Sequence, residues 1–196
     1  MIAIVKDCGT NVASLVYALE RIGKTAIVTN DAEIIETASH VILPGVSSAT
    51  RAMAKLKENN LTEIIKNLKQ PVLGICSGMQ ILFSQSEEGM TATLDIIPGQ
   101  VKKLMSTQQC VLPHMGWNRV CEIKKNEPLF EDVPDDSYVY YVHSFAVACL
   151  PQTIAQSSYA EIFSAAVLHK NFYGVQFHPE RSGKIGENIL NNFVNL

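Results

Sequence analysis

The sequence is short of several features at once, and each shortage removes a class of protein. No apolar run approaches the roughly 20 residues of a membrane-spanning helix. Positive charge is not in excess: Lys plus Arg is 16 against 19 for Asp plus Glu, a net charge of −3. That balance argues against binding to nucleic acid or to an anionic membrane surface. The five cysteines (Cys8, Cys76, Cys110, Cys121 and Cys149) are odd in number, widely spaced and never C-x-x-C. Zinc-ribbon and thioredoxin patterns are therefore excluded, and a disulfide framework is not expected. The segment Met1–Lys6 has neither the basic region nor the small-residue cleavage site of a secretory leader, so a cytoplasmic location is expected. There is no Walker loop, no G-x-G-x-x-G and no metal-ligand spacing of His, Cys and carboxylates. Neither a metal nor another cofactor is expected.

What is present reads as an ordinary globular chain of 196 residues, 47% hydrophobic and 18% charged. A chain of this length buries roughly 70% of its unfolded surface, enough for a core without staples. With no internal repeat and no Pro/Ser-rich linker, one domain over residues 1–196 is expected. Its first half alternates short apolar runs (Ile2–Val5, Ala26–Val28, Val41–Leu43, Val72–Ile75) with helical patterns. Those patterns cover Val12–Ile22 with Asn11 as a cap, Asp31–Ala38, Ala49–Lys57, Leu61–Leu68 and Met79–Phe83. Continuous apolar strands between helices predict a single open, mostly parallel α/β sheet with helices on both faces. The second half is β-like near Val101–Leu104, Val120–Ile123, Tyr138–His143, Ile154–Ser157, Ala165–Leu168 and Tyr173–Phe177, and a helix follows at Lys184–Val194. These segments predict antiparallel hairpins added to the sheet.

Two segments could carry chemistry. Gly74-Ile75-Cys76-Ser77-Gly78 lies between an apolar strand and a helical run, the arrangement of a nucleophile elbow with Cys in place of Ser. The flanking glycines allow neighbouring backbone to approach a tight turn, and the following helix start favours a thiolate. The backbone N–H of Ser77 would face a developing oxyanion. The other four cysteines read as small buried hydrophobes. The second segment is Val175-Gln176-Phe177-His178-Pro179-Glu180. In extended chain, positions two apart share a side, so His178 and Glu180 face together, and Pro179 keeps His178 out of the helical region. Cys76, His178 and Glu180 thus make a nucleophile–base–orienter set. By pattern alone, His114 and His143 are undecided, and the lone Trp117 fits a core as well as an interface.

Gly74–Gln80 and Phe177–Glu180 resemble the signature of the class I, or triad, glutamine amidotransferases, whose core is flavodoxin-like. Within that class, Leu43-Pro-Gly-Val46, Pro113-His-Met-Gly-Trp-Asn118 and Tyr141-Val-His-Ser144 are similar to the glutaminase subunits of imidazole glycerol phosphate synthases. The resemblance runs the length of the chain. It implies attack by Cys76 on the side-chain amide of glutamine, with His178 moving protons and Glu180 holding its tautomer. It also implies an oxyanion hole at Val46 and Ser77, and glutamine held by Gly45, Gln80, His143, Ser144 and Phe145. Asn11, Met115, Trp117, Asn118, Tyr140 and Arg181 match the face toward a (β/α)-barrel cyclase. That partner would use the ammonia to make imidazole glycerol phosphate and AICAR in histidine biosynthesis. Ser47 stands where the family usually has a second glycine. Two alternatives stay open: a duplicated copy serving another ammonia acceptor, and a non-catalytic partner-binding module.

Overall fold

Four short strands and four helices alternate through the first 75 residues. They are β1 (Ile2–Val5), α1 (Ala13–Arg21), β2 (Ala26–Thr29), α2 (Ala32–Thr37), β3 (His40–Leu43), α3 (Ala49–Glu58), α4 (Thr62–Asn67) and β4 (Val72–Ile75). The computed structural model describes residues 1–6, 12–45 and 47–196, so the expectations for Asn11 and Val46 fall outside the described residues. Local signals explain several helix starts. The Asp31 carboxylate accepts from the Glu33 and Ile34 N–H groups at 2.9 and 3.2 Å, and Ser48 Oγ accepts from Arg51 N at 3.3 Å. Both satisfy helix-start donors that lack an internal partner.

After the one-turn helix α5 (Ser77–Gln80) come β5 (Phe83–Ser86), β6 (Thr91–Ala92), β7 (Ile97–Lys103), β8 (His114–Val120), β9 (Ser137–His143) and β10 (Phe145–Val147). The chain then runs through β11 (Thr153–Tyr159), β12 (Glu161–His169), β13 (Phe172–Val175) and α6 (Gly183–Phe193). The main sheet has the order β11-β12-β13-β4-β3-β1-β2, in which the five strands β2, β1, β3, β4 and β13 are parallel. Strands β12 and β11 extend it antiparallel. The parallel part follows the 2-1-3-4-5 order of flavodoxin-like sheets, whose sites gather beyond the carboxyl ends of the strands. The remaining strands lie apart from this sheet, β10-β7-β5-β6 as one layer and β8-β9 as an antiparallel pair.

Alternation along the strands divides the core between the two faces of the main sheet. Ile2 and Ile4 of β1 pack with Leu15 and Leu19 of α1 and Leu190 and Phe193 of α6. Ala3 and Val5 pack with Ile35 of α2, Met53 and Leu56 of α3 and Phe83 of β5. Among the described residues, no helix is long and apolar enough to cross a membrane.

Three local expectations need correction. The helix expected over Met79–Phe83 ends at Gln80, because the carbonyls of Ile81, Leu82 and Phe83 accept from Leu94, Ile97 and Asp95 instead of from a further helical turn. The strand expected near Val120–Ile123 lies earlier, at His114–Val120. Of the cysteines expected to be buried, Cys149 is exposed and Cys110 and Cys121 are half-buried, each beyond or at the end of a strand; Cys8 is outside the described residues.

Candidate active site

Parallel register brings three chain segments to one end of the sheet. Leu43 of β3 pairs with Gly74 of β4, and Val175 of β13 pairs with Ile75. The residues just beyond those strands, Gly45, Cys76 and His178, therefore belong to one neighbourhood. Cys76 turns the chain from strand to helix at φ 51° and ψ −111°, a left-handed backbone that costs a non-glycine residue roughly 1–2 kcal/mol. Its N–H holds the turn by donating to the Val175 carbonyl at 2.8 Å. The turn is tight enough to exclude side chains around it. A Cβ on Gly78 would overlap the Leu43 carbonyl oxygen, and one on Gly45 would overlap the Ile75 oxygen and the Ser77 nitrogen. The segment after β3 thus lies in backbone contact with the elbow.

His178 is 2% exposed. Its backbone N–H donates to the Tyr140 carbonyl at 2.8 Å, and its carbonyl accepts from Ser182 Oγ at 2.6 Å. Nδ1 lies 2.8 Å from Glu180 Oε1, which makes Nδ1 the proton-bearing nitrogen toward the carboxylate. Nε2 is buried without a hydrogen-bond partner and remains for proton traffic. The Cys76 thiol instead donates to the Val142 carbonyl at 3.6 Å, and Gln176 Nε2 donates to the sulfur at 3.6 Å. Burial by itself pulls the His178 pKa down. The Cys76 thiolate and the Glu180 carboxylate outweigh that loss and push it up to about 10. Helix α5 spans one turn, so its partial charge is a small contribution and the imidazolium is the main partner for a thiolate.

Cys76 opens into a cavity of about 300 Å³ lined by Gly45, Ser47, Ser48, Ser77, Gln80, Glu88 and the run Val142–Phe145. Gly45, Gln80, His143, Ser144 and Phe145 are thus brought together around the thiol, while His178 and Glu180 are not part of the lining. Gln80 Nε2 donates to the Phe145 carbonyl at 2.8 Å and to Gln176 Oε1 at 3.0 Å. Gln176 was given no role in the sequence reading, although a fully buried amide between Val175 and Phe177 is the kind of signal that marks a site. Glu88, whose carboxylate accepts from Ala49 N–H at 2.7 Å, and Ser48 were likewise missed. A larger cleft of about 560 Å³ between Ile123 and Asp135 holds none of these residues.

The residues matched to a partner face divide by strand parity. Met115 and Trp117 on β8 are exposed, at 63% and 56%. Tyr140 stands edge-on to Trp117, with ring centroids 6.0 Å apart, and the Arg181 guanidinium lies 4.6 Å from the Tyr140 ring centre. These four make an aromatic and cationic patch. Asn118 is half-buried and is not on that patch; its side chain turns inward to the Ser158 carbonyl at 2.9 Å.

A buried His–Glu pair near a cysteine elbow at the end of a central parallel strand, with a small polar cavity at the thiol, defines a class of protein. The chain matches the family model for glutamine amidotransferase class-I over residues 4–196, and it belongs to that family. Over its whole length it is similar to the imidazole glycerol phosphate synthase subunit HisH of Idiomarina loihiensis, 48% identical across 100% of this chain and 97% of the relative. The subunit of the same name in Bacteroides thetaiotaomicron is 46% identical, across 100% of this chain and 99% of the relative. A crystal structure of a glutamine amidotransferase superposes with a TM-score of 0.76, covering 99% of this chain and 97% of the other, at 14% identity. At that identity the likeness speaks for the fold alone.

Proposed function

We propose that this chain is the cytoplasmic glutaminase subunit of an imidazole glycerol phosphate synthase, its residues 1–196 acting as one domain. It hydrolyses glutamine to glutamate and ammonia and passes the ammonia to a (β/α)-barrel cyclase in histidine biosynthesis. The observation that carries the reading is the buried Glu180–His178 pair beside the Cys76 elbow, with a cavity of substrate size at the sulfur.

The chemistry follows from those positions. The Cys76 thiolate attacks the carboxamide carbon of glutamine, and negative charge gathers on the amide oxygen. The N–H groups of Ser77 and Val46 would receive that charge. As the carbon–nitrogen bond breaks, the His178 imidazolium gives its Nε2 proton to the leaving nitrogen. Ammonia departs, and a γ-glutamyl thioester remains on Cys76. Neutral His178 then takes a proton from water, whose oxygen attacks the thioester carbon and releases glutamate. Glu180 keeps Nδ1 protonated throughout. Gly45, Gln80 and the backbone at His143, Ser144 and Phe145 hold the substrate.

The partner docks on the patch of Met115, Trp117, Tyr140 and Arg181, where an exposed aromatic anchor with a cationic neighbour suits a binding hot spot. Asn118 follows Trp117 on β8, and Asn11 is a further position that the resemblance assigns to the partner face. The test is glutamate release by the subunit alone, with the barrel partner, and with the partner plus its ligand. Release should rise at each step and vanish in Cys76→Ala, while free ammonium still supports product formation. Trp117→Ala should weaken docking far more than folding. Equal rates in all three conditions would instead identify a free-standing glutaminase, and no release in any of them would identify a non-catalytic module.

A further inference from the structure

A chain of hydrogen bonds leads from strand β8 to the cavity, through two histidine rings that the mechanism above does not use. Asn118 Nδ2 lies 3.3 Å from His114 Nε2, His114 Nδ1 lies 2.9 Å from His143 Nε2, and His143 Nδ1 lies 2.9 Å from the Phe145 carbonyl. That same carbonyl accepts from Gln80 Nε2. Gln80 donates in turn to Gln176, and Gln176 donates to Cys76 Sγ. His114 and His143 are 3% and 6% exposed, and the ring of His114 is stacked between Tyr159 and Tyr141, with centroids 4.0 and 4.9 Å away.

The two ends of the chain fix every proton in it. The Phe145 carbonyl only accepts, so His143 carries its proton on Nδ1 and offers a lone pair at Nε2. His114 must then donate from Nδ1 and accept at Nε2. The donor there is the Asn118 amide, whose orientation is set independently: Oδ1 accepts from Arg119 N–H at 2.8 Å, and Nδ2 also donates to the Ser158 carbonyl. A second proton on either ring would set donor against donor at the next link. Burial agrees with this by holding the pKa of His114 down to about 4 and that of His143 to about 3.

We propose that His114 is a positioning residue for the glutaminase reaction, acting through His143 and the Phe145 carbonyl to set Gln80 and Gln176 against Cys76. The proposal rests on the glutaminase reading. His114 itself touches neither the cavity nor the thiol. Its value is directional: two neutral rings in a fixed tautomer give the Phe145 carbonyl a second donor beside Gln80 and hold that acceptor in place. The relay also begins one residue from Trp117, so a displacement of β8 on docking would be transmitted to the substrate pocket.

The test uses the complex with the barrel partner and two variants. His114→Phe keeps a ring between Tyr141 and Tyr159 and removes both nitrogens, whereas His114→Asn returns an N–H near the Nδ1 position. His114→Phe should lower kcat/KM for glutamine about tenfold, the scale of loss when reacting groups are slightly misplaced, and His114→Asn should recover most of it. Independently of activity, nitrogen-15 spectra of the histidine side chains should find both rings neutral and protonated on Nδ1 at pH 7. Equal impairment of the two variants, unchanged activity in His114→Phe, or an Nε2–H tautomer at His143 would each overturn the proposal. If the wild-type complex releases no glutamate, it is the glutaminase reading that fails, and the spectra still decide whether the relay exists.

Discussion

Removal of the Cys76 sulfur should release the proton that His178 holds. The imidazole is raised from an ordinary 6.5 to about 10 although burial opposes the charge. A rise against burial means that nearby negative charge favours imidazolium over imidazole. The Glu180 carboxylate is one source, and the thiolate is the other. Two unit charges ~4 Å apart at an effective dielectric constant of ~20 attract by about 4 kcal/mol, or about three pKa units. In Cys76→Ala only Glu180 is left to oppose burial, so His178 should titrate about three units lower, near neutrality. The assay is a pH titration of the His178 ring nitrogens by nitrogen-15 NMR in the wild type and in Cys76→Ala. The wild type should remain imidazolium at pH 8, and the variant should be largely neutral there. A neutral His178 in the wild type at pH 8, or the same midpoint in both proteins, would refute the ion-pair account of nucleophile activation.

Other consequences are equally direct. Glu180→Gln removes the charge but not the shape beside Nδ1, so it should slow turnover less than His178→Ala does; steady-state glutamate release compares them, provided both remain folded. Glycine has a freer backbone than serine, so Ser47→Gly should raise glutaminase activity without the partner, by about tenfold if ~1.4 kcal/mol is gained. His143, whose pKa is depressed to about 3, stays neutral in the folded protein while the unfolded chain takes up a proton below 6.5. Stability contributed by that histidine is therefore present above pH 6.5 and is lost as pH falls toward 3, by at most about 1.4 kcal/mol per unit. Thermal melts at pH 7 and pH 5 should show the loss, and His143→Asn should reduce it by that histidine's share, His114 contributing in the same direction.

The parallel half of the fold was legible because its central strands β1, β3 and β4, buried on both faces, are written as unbroken apolar runs. Val72–Ile75 and Val41–Leu43 need no context to be read. Strand β8 was displaced in the sequence reading because it has one inward face and one exposed face. Its inward face carries His114 and Asn118 in place of aliphatic residues, and its outward face carries Met115 and Trp117, so neither period nor polarity singles it out. Phe83 continues the apolar spacing of a helix, and pairing of Phe83–Ser86 with β6 and β7, which lie later in the chain, makes it a strand. The triad candidates were readable because a glycine-flanked Cys and a His-Pro-Glu are local patterns. Gln176 and the role of His114 were not, since their chemistry lies in contacts with residues that sequence proximity does not reveal.

Strand β13 lies between β4 and β12 and immediately precedes His178, about a hundred residues after Cys76. The nucleophile therefore leaves the ribosome long before its base, and the base reaches it only when a late strand slots into the middle of the sheet. An incomplete chain already displays the cysteine but has no means of turning it on glutamine. On the proposed mechanism the reactive centre would be assembled by the last parallel pairing, and a product truncated before β13 would hold the cysteine without its base.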